Sequence, residues 1–174
     1  MTYLLDDILT YGKNESGKIK LTLTNIVAGE FFKQVAEEVE NSSKGTHRVI
    51  TDFYNLKGQV AIDEKLLRNI TTNLLTNAIK FSPGKSYVEM IVRKMSDDLI
   101  LTIRDEGIGI PLNEVDNIFE AFQRGKGTES IQGTGLGLSI VKRAVHLLNG
   151  SIQVESKPGN GTTFTVTIPL ETLT

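Results

Sequence analysis

The 174-residue chain contains no cysteine, which excludes disulfides, thiolate zinc sites and thiol nucleophiles. A reducing compartment is compatible with that. It also lacks a charge excess: 19 basic against 21 acidic residues leave a net charge of −2. There is accordingly no electrostatic reason to expect nucleic acid or an anionic membrane as a partner. No apolar run approaches the roughly 20 residues that span a bilayer, and no signal peptide heads the sequence. The chain therefore reads as soluble and cytoplasmic, although membrane attachment of a longer parent would not be visible in it. Two familiar phosphate-binding signatures are missing as well. There is no G-x-x-x-x-G-K-[ST] run, and no G-x-G-x-x-G at a first strand–helix turn. What remains is ordinary for a single globular domain with a proper core: 39% hydrophobic and 23% charged residues, without internal repeats or low-complexity tracts.

Periodicity divides the chain. Leu4, Leu5, Ile8, Leu9 and Tyr11 form a short helical stripe over Thr2 to Lys13, ending in the turn-like Asn14 to Lys18. It reads either as a frayed terminal helix or as the tail of a longer one, and so short a helix is marginal alone. Ile19 to Leu23 alternates like a short extended segment, and Ala28 to Glu40 is an amphipathic helix. His47 to Asn55 and Gln59 to Ile62 look extended, with Lys57-Gly58 between them as a hairpin signal. Asp63 is placed to cap a helix that runs to Ser82-Pro83-Gly84. Tyr87 to Met95 and Leu99 to Arg104 read as paired strands, Leu136 to Leu148 as a helix capped by Asn149-Gly150, and Ile152 to Glu155 and Thr162 to Ile168 as closing strands. Hairpin-linked strands with helices on one face predict a two-layer α/β sandwich with a mixed, mostly antiparallel sheet, plus the short N-terminal helix.

Four polar clusters follow one another along this scaffold. On the Asp63 to Phe81 helix, Asn73, Asn77 and Lys80 fall within roughly 60° of one another, beside the apolar stripe. Amide oxygens are hard neutral ligands suited to a magnesium ion that keeps phosphate oxygens and waters, and a lysine one turn on can meet phosphate. A solvated helix face would carry the same residues. Asp105-x-Gly107-x-Gly109-Ile110 follows a strand. A carboxylate there can accept from the adenine amino group while glycines let the base approach, although a plain turn has the same composition. Gly133-Thr134-Gly135-Leu136-Gly137-Leu138 opens a helix, where exposed backbone N–H groups favour phosphate; a flexible capping loop is the alternative. Between the glycine clusters, Leu112 to Gln132 reads as a lid with Phe119 and Phe122 packing its short helix onto the body. Arg124 in that segment could close on a terminal phosphate.

In this order the motifs resemble the catalytic and ATP-binding domain of bacterial sensor histidine kinases, within the Bergerat-fold ATPase superfamily. The resemblance covers about Ile19 to Pro169. Residues 73–83 match the family's N box, 105–110 its first glycine box, Ile118 to Arg124 its F box, 133–138 the second glycine box and Gly159 to Phe164 the last. The resemblance implies that Asn77, helped by Asn73, holds Mg2+ and that Lys80 meets phosphate. Phe81 would lie by the adenine, with Asp105, Gly107, Gly109 and Ile110 around the base. Thr162 or Thr163 would support Asp105. Phe122, Arg124 and the stretch Gly133, Thr134, Gly135, Leu136, Gly137 and Leu138 would close on the phosphates. Asn73 stands where the hydrolytic relatives carry a glutamate that activates water. An amide cannot act as that base, so transfer to a protein is expected over hydrolysis.

One family element is missing. Neither His47 nor His146 has the setting of the phosphoaccepting histidine. Residues 1–18 look like the end of a dimerisation helix and its linker, and 19–174 like the catalytic domain with a lid at about 112–134. The resemblance thus implies a helical phosphoacceptor domain as partner, in cis or in trans, with a response regulator reached indirectly. The isolated chain is expected to be a monomer or weak dimer. A non-catalytic nucleotide-sensing module and a serine kinase of the anti-sigma type are the rival readings.

Overall fold

Alternating apolar residues build the sheet, and the helical stripes cover one of its faces. The computed structural model describes residues 21–122 and 133–170. The expected N-terminal helix and linker, and Arg124, lie outside the described residues. In chain order the elements are β1 (Thr24–Val27), α1 (Ala28–Ser42), β2 (Arg48–Tyr54), β3 (Gln59–Ile62), α2 (Glu64–Lys80), β4 (Tyr87–Met95), β5 (Asp98–Asp105), a 3-10 turn (Val115–Asn117), α3 (Gly137–Leu147), β6 (Ser151–Ser156) and β7 (Thr162–Pro169).

Five strands form one sheet in the order β2-β4-β5-β7-β6, and β1 pairs with β3 in a separate ribbon. Only the β2–β4 pairing is parallel in the main sheet; the others are antiparallel. Val88, Met90 and Val92 on β4, Leu99, Leu101 and Ile103 on β5, and Phe164, Val166 and Ile168 on β7 are buried together. They share a core with Phe32 and Val35 of α1, Leu67, Ile70 and Leu74 of α2, and Val141 and Ala144 of α3. Each fully buried Leu or Ile contributes about 1.5–3 kcal/mol, which fixes the register of the sheet under the helices. The expected two-layer α/β sandwich with a mixed, mostly antiparallel sheet is the fold observed. No helix among the described residues is long and apolar enough to cross a membrane.

Three expectations change. The first strand is Thr24–Val27 rather than the stretch ending at Leu23: Ile26 enters the core and Thr24 hydrogen-bonds the carbonyl of Ile62 across the ribbon. Lys57-Gly58 does not join a hairpin, because β2 pairs with β4 and β3 with β1. The lid's expected short helix is, among the described residues, a single 3-10 turn. Asp63 does cap α2, accepting from the N–H of Leu66 at 3.1 Å, and its second oxygen accepts from the N–H of Thr22 at 2.9 Å. The cap anchors both the start of α2 and the chain entering β1.

Candidate functional site

Helix α2 leaves the core along one edge, and there Asn73, Asn77 and Lys80 are half-buried. The Asn73 amide donates to the carbonyl of Asn69 at 2.8 Å, which leaves its oxygen to face the second glycine cluster. That oxygen lies 3.0 Å from where a Cβ on Gly137 would stand, with the Asn77 amide nitrogen at 3.8 Å. Lys80, the last residue of α2, is equally close to that segment: its Nζ is 2.2 Å from the Cβ position of Gly133. The same ammonium stands 4.6 Å above the Phe81 ring. The first and fourth clusters of the sequence are therefore brought face to face.

The second glycine cluster ends where α3 begins. Buried Leu136 pins it to the body, and Thr134 accepts from the Leu136 N–H at 3.2 Å. Leu136, the N-cap residue of α3, makes no side-chain cap, and the Gly137 backbone in the first turn lies beside the Asn73–Asn77 edge. A helix start whose N-cap residue is an apolar leucine, next to neutral amides and an ammonium, suits a polyanion.

The second cluster sits at the end of β5. Asp105 is 6% exposed and stands opposite Thr162 in the β5–β7 register. Its carboxylate accepts from the Gly107 N–H at 2.8 Å. Burial pushes the Asp105 carboxyl above its ordinary value, against the backbone N–H groups of Gly107 and Thr162, which favour the charged form. Thr162 is buried on the same side; Thr163 alternates to the other face of the sheet, opposite Arg104 and Glu155. Of the two threonines, Thr162 is the one that shares Asp105's face of the sheet.

The loop after Asp105 is held by backbone on both sides. A Cβ on Gly107 would come within 2.1 Å of the Phe81 carbonyl oxygen, which also accepts from the Ile108 N–H at 3.0 Å. Gly109 has a φ of +68°, and its Cβ position is 2.1 Å from the Lys157 carbonyl oxygen. Neither position admits a side chain without moving backbone. The C-terminal end of α2 is thereby tied to the first glycine loop.

Sequence reasoning missed Ser156, at the end of β6. Its hydroxyl accepts from the Ile110 N–H at 2.8 Å, donates to the Gly161 carbonyl at 2.9 Å and lies 2.9 Å from the Thr162 hydroxyl. A lone serine before Pro158-Gly159 carries no signal of contacts 46 residues away.

The F-box residues part company. Phe119 packs edge-to-face on Phe164, with ring centroids 6.4 Å apart. Phe122 does not pack onto the body as expected: it is 67% exposed, at a φ of +64°. Its backbone N–H instead donates to the Gly135 carbonyl at 3.0 Å, stitching the lid's first half to the second glycine cluster. Arg124 lies outside the described residues.

A cavity of about 520 Å3 lies between Phe119–Ala121, the outer side of α3 and the start of β6. None of the cluster residues other than Phe119 lines it, so its size is no guide to the site defined by chemistry. Among the described residues no group of three or more His, Asp or Glu could hold a metal ion. The donor set beside α2 consists of two amides, which fits a hard ion taking most of its oxygens from phosphate and water.

A protein-family model described as histidine kinase-, DNA gyrase B- and HSP90-like ATPase matches residues 62–172. The circadian input-output histidine kinase CikA of Synechococcus elongatus is 36% identical over 98% of this chain and 23% of its own length. The sensor histidine kinase RcsC of Escherichia coli is 35% identical over 96% of this chain and 18% of its length. The chain thus spans less than a quarter of either relative. Among solved structures, full-length ShkA in complex with AMPPNP superposes with a TM-score of 0.82 at 26% identity, covering 97% of this chain and 35% of that one.

Proposed function

The chain belongs to the family of histidine kinase-, DNA gyrase B- and HSP90-like ATPases, and on that premise we propose that it binds Mg-ATP and passes the γ-phosphate to a histidine on a helical dimerisation domain outside this chain. The observation that carries this reading is the facing of Asn73, Asn77 and Lys80 against Gly133 and the start of α3, with buried Asp105 beyond Phe81. That arrangement offers a phosphate end and a base end joined through one helix terminus.

In the proposed complex Asp105 accepts a hydrogen bond from the adenine amino group, and Thr162 and Ser156 hold its loop. Guanine presents a carbonyl there and would be repelled by the carboxylate. Asn77, with Asn73, would hold Mg2+, which supplies neutralisation of phosphate charge. Lys80 and the N–H groups at the start of α3 orient the phosphate chain, and Arg124 closes on its terminus. A nitrogen of the acceptor imidazole attacks the γ-phosphorus, the bond to the β–γ bridging oxygen breaks, and ADP leaves. The amide of Asn73 cannot take a proton from water, which favours transfer over hydrolysis. A response regulator then receives the phosphoryl group from that histidine.

The test is incubation with γ-labelled ATP and a matched acceptor domain. Acid-labile, base-stable label on the acceptor histidine is expected. Its absence while ATP still binds would turn the reading toward a nucleotide-sensing module.

A further inference from the structure

We propose that His47 is a positioning residue for the nucleotide site, holding the end of α2 against the first glycine loop through Ser82. This rests on the reading of the site given above. His47 is buried in the link between α1 and β2, 5% exposed, and has no part in the chemistry described so far. Its Nε2 lies 3.0 Å from the Ser82 carbonyl oxygen and 3.1 Å from the Ser82 hydroxyl. Ser82 is itself fully buried, and its hydroxyl donates to the Ala78 carbonyl at 2.5 Å.

The protons can be assigned from the partners. A carbonyl oxygen only accepts, and the Ser82 hydroxyl spends its single proton on Ala78, so Nε2 must carry a proton and donate to both Ser82 oxygens. His47 thus acts as a fixed donor across 35 residues of sequence.

The consequence lies in what neighbours Ser82. Residues 80–82 form one short peptide at the end of α2. Lys80 carries the ammonium beside Gly133, and Phe81 carries the carbonyl that receives the Ile108 N–H and packs on Gly107. Ser82 is the third point, and His47 is its tether from another element. With that donor removed, the peptide keeps its helical bonds but loses the contact that sets its tilt against the Asp105 loop. The phosphate end and the base end of the site would then no longer be held in one geometry.

Three substitutions test this. The amide nitrogen of His47→Gln can reach the place of Nε2, whereas His47→Asn is too short and His47→Leu has no donor. Mg-ATP affinity is read by calorimetry, and the Ile108 and Gly107 amide resonances are read in nucleotide-free protein. His47→Asn and His47→Leu should weaken binding by about 5- to 20-fold and shift the Ile108 amide, with His47→Gln within about twofold of the parent. If His47→Leu fails to fold, the Asn and Gln pair decides. A folded His47→Asn protein with parental affinity, or a Gln variant no better than Asn, overturns the role. Should the parent bind no ATP, the functional reading fails by itself; an Ile108 amide indifferent to His47→Asn would then overturn the tether independently.

Discussion

The amide oxygen of Asn73 stands 3.0 Å from the point where a Cβ on Gly137 would lie, so a glycine at the start of α3 sets how close that helix comes to α2. Alanine favours a helix over glycine by about 1 kcal/mol. Gly137→Ala should therefore leave the thermal midpoint unchanged or raised. The added methyl group pushes the Asn73 amide aside, and Mg-ATP affinity should fall about 5- to 10-fold. Melting curves beside calorimetry check the pair of outcomes. A variant unchanged in affinity would show that the Asn73–Gly137 approach is not part of the site.

Asp105 is expected to select adenine. Asp105→Asn keeps an oxygen for the Gly107 N–H but removes the charge, and should weaken ATP binding by about 1–3 kcal/mol, roughly 5- to 150-fold. Competition between ATP and GTP in parent and variant measures it. Equal ATP affinities would remove Asp105 from base recognition.

The same carboxyl predicts a pH dependence of stability. Burial raises its folded-state value above the ordinary 3.8. The associated stabilisation is full below the unfolded value and is lost as pH rises through the folded one. Asp105→Asn should therefore gain stability relative to the parent in urea unfolding as pH rises from below the ordinary carboxylate value through the folded-state one. A relative gain by the parent over that range would contradict the burial cost.

Ser156→Ala should leave the Ile110 N–H without its acceptor and loosen the contact with Thr162. A loss of about 1–3 kcal/mol in unfolding free energy is expected, accompanied by weaker ATP binding. Denaturant unfolding and calorimetry report the two effects. A variant of parental stability would show that water replaces the hydroxyl.

Much of this site was legible in the sequence because its parts sit on strongly periodic elements. Asp63 marks the start of α2, and helical spacing then puts Asn73, Asn77 and Lys80 on one edge whatever the tertiary fold. Strand pairing was less legible. Lys57-Gly58 has the composition of a hairpin turn, but β2 finds its partner in β4, and only the packed sheet decides that. Backbone contacts were not legible at all. The Phe81 carbonyl carries no side-chain signature, yet it is the surface on which Gly107 and Ile108 rest. Phe122 misled because an aromatic residue in a lid reads as core, whereas here it is mostly exposed, at a φ of +64°.

The most direct test of the account is calorimetric titration with ATP, with and without Mg2+, on the parent and on Asn77→Ala. The parent should bind ATP saturably and bind it more tightly with Mg2+, while Asn77→Ala should lose most of the Mg2+-dependent gain. Binding that is absent, or that is indifferent both to Mg2+ and to Asn77, would contradict it.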